Sequence, residues 1–162
     1  MSGTGKSSVI AALAARGYKT VDTDYGGWCE AITIPTSADR SGLGVTEEFV
    51  WQEERIAVLL STEDTDVLFV SGCTSNQSKF YSRFDHVVLL SAPISVMKER
   101  LATRSNNPYG KSPEDLARVL ALKETVEPML RRGADIELDT SAPLDHVVDQ
   151  LLASVGLGTR RP

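Results

Sequence analysis

The sequence predicts an α/β fold, a parallel sheet with helices on both faces. Three observations carry this. Short apolar runs alternate with amphipathic helical stretches along the 162 residues. Two of the runs, "DVLFVSG" and "HVVLLSA", are apolar at successive positions, as strands covered on both faces are. The first helical stretch is entered through "SGTGKSS", which fills most of the phosphate-binding pattern G-x-x-x-x-G-K-[ST].

The elements follow in order. "GKSSVIAALAARG" reads as a helix, with Val9, Ile10, Leu13 and Ala14 on one stripe. "YKTVDTD" is a short strand ending in acids, and "GGWCEAITIPTSADRSGLG" is an irregular segment rich in glycine, serine and proline. "TEEFVWQEERIAVLL" reads as one helix with Thr46 as its N-cap and acids in its first turn. After the two buried strands come the helix "PISVMKERLATR", the loop "SNNPYGK" and the long helix "SPEDLARVLALKETVEPMLRR". Ser112, Pro113 and Asp115 make a well-formed start for that helix, and Pro128 should kink or break it. "DIELD" is the last strand, "APLDHVVDQLLASVG" the last helix, and 157–162 a frayed tail. Residues 1–156 thus form a single domain.

The first glycine of the phosphate-binding pattern would fall one residue before Met1, as would the strand that delivers such a loop. Four strands are legible, near 19–22, 67–71, 86–91 and 135–139; the missing one would be the first of five and central in the sheet. The expectation is that Met1 is an internal methionine and that the native protein starts upstream with a strand and a glycine. A chain starting at Met1 would have a sheet with an empty centre and weakened phosphate binding.

Composition narrows the function classes. The net charge is -5, without the basic stripe of a nucleic-acid binder. No apolar run reaches the ~18 residues of a membrane span, and Lys6 is not followed by the long apolar stretch of a signal peptide. Cys29 and Cys73 are too few for a disulfide framework and lack metal spacing, which points to reduced thiols in a cytoplasmic protein. His86 and His146 have no partner in sequence.

The chemistry concentrates at the rim where the strands end. Gly3, Thr4 and Gly5 would fold the backbone round phosphate oxygens, with Ser8 in the helix's first turn; Lys6 would reach the β- and γ-phosphates, and Ser7 would coordinate magnesium. Asp22 and Asp24 end the first visible strand. One could hold magnesium or its water shell and the other orient or deprotonate an acceptor hydroxyl; the open alternative is a pair of solvated loop acids. In "SGCTSNQ", Gly72 permits close backbone approach, and Thr74 to Gln77 read either as an acceptor pocket or γ-phosphate neighbour or as an ordinary polar turn. Arg100 and Arg104 lie one helical turn apart before a basic loop, where cations could gather on a transferring phosphoryl group; a solvated helix face is the alternative, more so for Arg100. "DTSAP", Asp139 to Pro143, could wrap an adenine base through its backbone.

Together these residues resemble the nucleoside-monophosphate-kinase-like group of P-loop proteins, and within it the shikimate kinase and gluconate kinase families. The resemblance rests on "SGTGKS", "DTD", "EFVWQEE", "SGC", "RLATR" and "EPMLRRGADIELDTSAP", and covers nearly the whole chain. It implies a P-loop NTPase-type sheet, normally five-stranded, with a short lid at about 104–118. It implies transfer of the ATP γ-phosphate to the hydroxyl of a small molecule, with Mg2+. Lys6 and Ser7 would serve nucleotide and metal, Asp22 the metal's water shell, Asp24 the acceptor hydroxyl, Arg104 the base or lid, and Thr140, Ser141 and Pro143 the adenine loop. The sequence departs from shikimate kinases in three places. Phe49 is followed by Val50 instead of arginine, Gly72-Cys73-Thr74 replaces a glycine triplet, and no arginine stands near Thr125. Bidentate carboxylate recognition is not easily replaced. An acceptor with hydroxyls and an apolar face, set among Tyr25, Trp28, Trp51 and the cation Arg40, therefore fits better than a small polyanion.

The leading expectation is an ATP-dependent small-molecule kinase, a monomer or weak homodimer with no nucleic-acid or membrane partner. The alternative is a non-catalytic or weakly hydrolytic nucleotide-binding protein of the same fold. A GTPase is a poorer third, since no N-K-x-D follows a strand.

Overall fold

The computed structural model describes residues 1–35, 37, 44, 47–105 and 107–158. The described elements are α1 (Lys6–Ala15), β1 (Lys19–Asp22), β2 (Cys29–Thr33), β3 (Glu47–Trp51), α2 (Glu53–Leu60), β4 (Leu68–Ser71), a 3-10 helix (Gln77–Arg83), β5 (Val88–Ser91), α3 (Ile94–Thr103), α4 (Pro113–Thr125), α5 (Glu127–Gly133), β6 (Ile136–Asp139) and α6 (Leu144–Ser154). The four strands legible in the sequence form two parallel pairs, β1 with β4 and β5 with β6. The pairing runs residue for residue, Lys19 opposite Leu68 through Asp22 opposite Ser71, and Val88 opposite Ile136 through Ser91 opposite Asp139.

The pairs do not join among the described residues. A slot of about 560 Å³ separates them, walled by β4 on one side and β5 on the other. Helices cover both faces. Val9 and Leu13 of α1 pack with Val147, Val148, Leu151 and Leu152 of α6 against Phe69, Val88 and Leu90. On the other face Ile56 of α2 and Phe80 of the 3-10 helix pack with Trp51 against Val70. A third cluster, Ala92, Met97, Leu101 and Val119, ties α3 to α4. Despite this cover, Leu68, Phe69, Val70, Val88 and Leu90 are only half-buried. Interior strands of a two-sided parallel sheet ordinarily bury such residues.

Two sequence expectations are corrected. The segment after β1 is not irregular throughout: Cys29–Thr33 is strand β2. The stretch expected to be one helix is divided, since Glu47–Trp51 is strand β3 and pairs antiparallel with β2, Cys29 opposite Trp51 and Thr33 opposite Glu47. Helix begins only at Glu53, after Gln52, whose N–H donates to the Trp28 carbonyl at 2.9 Å. The physical reason lies in "FVW": aromatic and β-branched side chains favour a pleated surface, and the Asn76 side chain completes the strand end. Asn76 Oδ1 accepts from Trp51 N at 2.9 Å, and its Nδ2 donates to Trp51 O at 3.0 Å. Thr46, expected as an N-cap, and Arg40 lie outside the described residues.

The long helix breaks where proline demands it, α4 ending at Thr125 and α5 starting at Glu127, ahead of Pro128. Its start is capped as the sequence suggests, with Ser112 Oγ accepting from Asp115 N at 3.1 Å. The tail is held further than expected. Leu157 packs on the α1–α6 core, and Tyr18 Oη donates to the Gly158 carbonyl at 3.5 Å; residues 159–162 lie outside the described residues. No described helix is long and apolar enough to cross a membrane.

Candidate functional site

The phosphate-loop residues precede α1 and sit on α3. Gly3 and Gly5 have φ of +81° and +86°, the left-handed region that glycine enters freely. A Cβ on Gly3 would stand 3.3 Å from both the Cβ and the carbonyl oxygen of Met97, so the loop also needs the missing side chain to seat on α3. Thr4 is fully buried, and its hydroxyl donates to the Met1 carbonyl at 2.9 Å. Gly5 is the N-cap of α1, which has no side-chain cap and no acid in its first turn. The N–H groups of Lys6, Ser7 and Ser8 therefore have no intrahelical acceptor, and the positive end of the helix is left for an anion. Lys6 Nζ lies 3.3 Å from Asp24 Oδ2 and 3.4 Å from the Met1 carbonyl.

A cavity of about 580 Å³ opens over this loop. Its lining brings together Gly3, Gly5, Lys6, Ser7 and Ser8 with Asp24, Arg100, Arg104 and Thr140. Most residues expected to serve a nucleotide thus converge, from four separate stretches of chain. Thr4 lies beneath the loop. Ser141 and Pro143 do not line the cavity, although their neighbours Ala142 and Leu144 do. The Ser141 N–H donates to Asp139 Oδ1 at 2.8 Å, and that bond holds the Asp139 carboxyl below its ordinary value. Asp22 lines neither the cavity over the loop nor the slot between the strand pairs nor the cleft beyond Lys6; its Oδ1 accepts from Asp24 N at 3.2 Å and so orients Asp24. Tyr25, expected beside an acceptor, lines this cavity instead.

Sequence reasoning undervalued Arg100. Its guanidinium donates to Thr140 Oγ1 at 2.9 Å, to the Thr140 carbonyl, and to the Gly3 carbonyl at 3.4 Å. Thr140 Oγ1 also lies within hydrogen-bond reach of the Thr4 carbonyl, at 3.0 Å, and of the Ser91 carbonyl, at 3.1 Å. Thr140 is buried, so its side chain buttresses the phosphate loop from below. The available signal was position: Arg100 adjoins the buried Met97–Leu101 stripe of α3. Arg104 donates to the Tyr109 carbonyl, while its buried Nε has no hydrogen-bond partner among the described residues.

A broader cleft of about 2180 Å³ lies on the other side of Lys6 and Asp24, which line both spaces. Trp28, Val50 and Trp51 contribute from the hairpin, Thr74 to Gln77 from the loop after β4, and Leu122 and Met129 from α4 and α5. The Arg55 guanidinium stacks 4.1 Å from the centre of the Trp28 ring. Arg118 and Arg132 also line the cleft, and no carboxylate among the described residues forms an ion pair with either. Behind the hairpin, Thr23 is a buried hub: its hydroxyl donates to the Ser71 carbonyl at 2.8 Å and accepts from Trp51 Nε1 at 2.8 Å. Gly72 fits only because it lacks a side chain, since a Cβ there would lie 2.3 Å from Thr23 Oγ1. Cys29 and Cys73 are free thiols, and burial pushes the Cys29 thiol above its ordinary value.

A glycine-cradled loop opening a helix, on parallel strands covered by helices, defines a P-loop, kinase-like nucleotide-binding fold. Residues 1–121 match the family model described as an AAA domain, and the chain belongs to that family. Among solved structures, the chain is similar to shikimate kinase from Acinetobacter baumannii in complex with shikimate, with a TM-score of 0.58 at 20% identity over 95% of this chain and 88% of that one. It is also similar to TT1252 from Thermus thermophilus, with a TM-score of 0.56 at 19% identity over 94% and 91% of the two chains. No curated protein matches. At these identities the likeness concerns the fold, which agrees with the resemblance to the nucleoside-monophosphate-kinase-like group.

Proposed function

We propose that the chain is an ATP-dependent phosphotransferase that moves the γ-phosphate of ATP to a hydroxyl of a small molecule. The observation that carries this reading is the Lys6–Asp24 pair. At 3.3 Å, it stands between a glycine-cradled cavity and a wider cleft and lines both. A protein that only holds a nucleotide has no need of a carboxylate facing a second space.

The residues present fit ATP with magnesium. Gly3 and Gly5 leave a cradle that a Cβ would fill, and Arg104 Nε lies buried and, among the described residues, unpartnered in a residue of the cavity lining. No group of three or more potential metal ligands occurs among the described residues. Mg2+ does not require one, since it is ordinarily held by one or two carboxylates, substrate phosphates and water. Ser7 and Asp22 would hold it, and it would neutralise charge on the phosphate oxygens.

In this reading the first-turn N–H groups of α1 bind phosphate oxygens, and Lys6 turns from Asp24 towards them. Asp24 is then left to the acceptor; it orients the hydroxyl and takes its proton as that oxygen bonds to the γ-phosphorus, while the bond from phosphorus to the β,γ-bridging oxygen breaks and ADP leaves. Arg104 adds positive charge at the lid, and the segment that its bond to the Tyr109 carbonyl holds helps to exclude water. The acceptor carries a hydroxyl and an apolar face that packs near Trp28. Shikimate is not that acceptor: Val50 follows Phe49, and micromolar binding of shikimate would overturn this part. We place the chain in the cytoplasm as a monomer or weak homodimer.

The test is a screen of alcohols, sugars and nucleoside monophosphates with MgATP, followed by phosphorus NMR. A new phosphate ester that disappears in Asp24→Asn supports the reading; ester formation that survives that substitution contradicts it. A second reading, nucleotide binding without transfer, is favoured by one observation. Asp22, the carboxylate proposed for the metal shell, lines neither the cavity over the phosphate loop nor the cleft beside it. That reading predicts no ester with any acceptor and ATP binding indifferent to Asp24→Asn.

A further inference from the structure

The turn after β1, "DTDYGGW", sends its two aromatic residues to different spaces. The Tyr25 N–H donates to the Asp22 carbonyl at 3.2 Å, which begins the turn. Gly26 and Gly27 follow with φ of +78° and +71°, two successive left-handed residues that carry the chain on to β2. Asp24, ahead of them, lines both the cavity over the phosphate loop and the wide cleft. Tyr25 lines the cavity and not the cleft; Trp28 lines the cleft and not the cavity. The Trp28 ring already carries the Arg55 guanidinium. Tyr25 carries nothing of the kind. It is 55% exposed, and among the described residues its ring stacks on no other aromatic and its hydroxyl has no hydrogen-bond partner.

The sheet fixes where Tyr25 stands along the cavity. β1 belongs to one strand pair and β6 to the other. Ala142 and Leu144, which follow β6, therefore line one side of the cavity, and Asp24 and Tyr25, which follow β1, line the other. Lys6 belongs to the Tyr25 side, since its Nζ lies 3.3 Å from Asp24 Oδ2. A nucleotide whose base lies against Ala142 and Leu144 runs its phosphates across the first turn of α1. Its terminal phosphate then arrives between Lys6, Asp24 and Tyr25. Once Lys6 turns to that phosphate, the Asp24 carboxylate beside it is a like charge. A phenol is neutral and donates a proton, so it can hold an anionic oxygen there without adding to the repulsion.

We propose that Tyr25 is the residue that reads the terminal phosphate: its hydroxyl donates to a γ-phosphate oxygen of ATP, and ADP leaves that donor unused. The inference rests on the reading of the cavity as an ATP site, and not on transfer to an acceptor. It gives the site a preference for ATP over ADP and eases the departure of ADP after the terminal phosphate is gone.

The experiment is titration calorimetry on the 162-residue chain with Mg2+ and two probes, ADP and the non-hydrolysable β,γ-imido analogue of ATP. Tyr25→Phe keeps the ring and removes the hydroxyl. The expected result is about a tenfold loss of affinity for the imido analogue, the size of one hydrogen bond to a charged group. ADP affinity should stay within about twofold of the parent, which also shows that the variant is folded. Tyr25→Ala should lose little more than Tyr25→Phe. Equal losses for both probes would set Tyr25 against the base or the inner phosphates and overturn the proposal. Unchanged affinity for both would overturn it too. A parent that binds neither probe would overturn it together with the nucleotide reading. Transfer is judged apart from this: a phosphate ester formed while Tyr25→Phe leaves both affinities unchanged defeats the Tyr25 proposal alone. The predicted selectivity without any ester defeats transfer alone.

Discussion

Arg100 Nη1 donates to Thr140 Oγ1 at 2.9 Å, and through this pair α3 and the loop after β6 are fastened to the phosphate loop. The bonds involve a charged donor on a part-buried side chain, a class contributing roughly 1.5–3 kcal/mol, less where solvent screens it. Arg100→Met is expected to lower stability by about 1–2 kcal/mol and to weaken ATP binding several-fold without altering Lys6 or Asp24. Thr140→Val should reproduce most of the binding loss, and the double variant should lose little more than either single one, because the residues act as a unit. Titration calorimetry and thermal melts check this; fully additive losses would contradict it.

Gly72→Ala tests the packing behind the cleft. The added Cβ would fall 2.3 Å from Thr23 Oγ1 and 2.9 Å from Trp51 Cζ2, both belonging to buried residues with little room to move. Overpacking of this kind costs about 1–3 kcal/mol. The expected outcome is a melting temperature lower by several degrees and a shifted tryptophan emission as Trp51 Nε1 is pushed off Thr23. An unchanged emission spectrum would contradict the close approach.

Asn76→Ala removes both side-chain bonds to the Trp51 backbone, leaving its N–H and C=O without that partner. A loss of about 1–3 kcal/mol follows, and hydrogen exchange should quicken at Trp51 and along β2 and β3 while β5 and β6 keep their protection. Equal acceleration throughout the chain would show that Asn76 does not act through the hairpin.

These three sites also show what the sequence could reveal. The strands at 19–22, 68–71, 88–91 and 136–139 were legible because continuous apolar runs between helical stretches have few other uses. The phosphate loop was legible because glycine spacing, lysine and serine follow from phosphate geometry. The hairpin was not. "EEFVWQEERI" supports a helical period as well as a strand, and only the distant Asn76 and the pairing with Cys29–Thr33 decide between them. The Arg100–Thr140 pair spans 40 positions, and an arginine on a helix is by default a solvated one. That Asp24 lines the cavity and the cleft while Asp22 lines neither was not legible, for a similar reason. Residues two apart share a face only while the strand continues, and β1 ends at Asp22.

Acid stability should depend on Glu137. Arg131 donates to both of its oxygens at 2.7 Å and holds its carboxyl below the ordinary value of 4.5. A depressed folded-state value contributes stability that is fully present above about pH 4.5 and is lost as pH falls through the lower folded value. Glu137→Gln should therefore melt below the parent at neutral pH, and the gap should shrink as pH falls below 4.5. A gap that stays constant to about pH 3 would place the effect in packing and not in the ion pair.

The central claim is that Lys6 and the loop around it hold ATP with magnesium for phosphoryl transfer. Its most direct measurement is ATP hydrolysis by the 162-residue chain and by Lys6→Ala, each with and without Mg2+. The prediction is turnover by the parent that requires Mg2+ and falls at least about 100-fold in Lys6→Ala, equivalent to roughly 2.7 kcal/mol of transition-state stabilisation. Equal rates in the two proteins, or a parent rate indifferent to Mg2+, would contradict the claim and leave the cavity a nucleotide-binding site without chemistry.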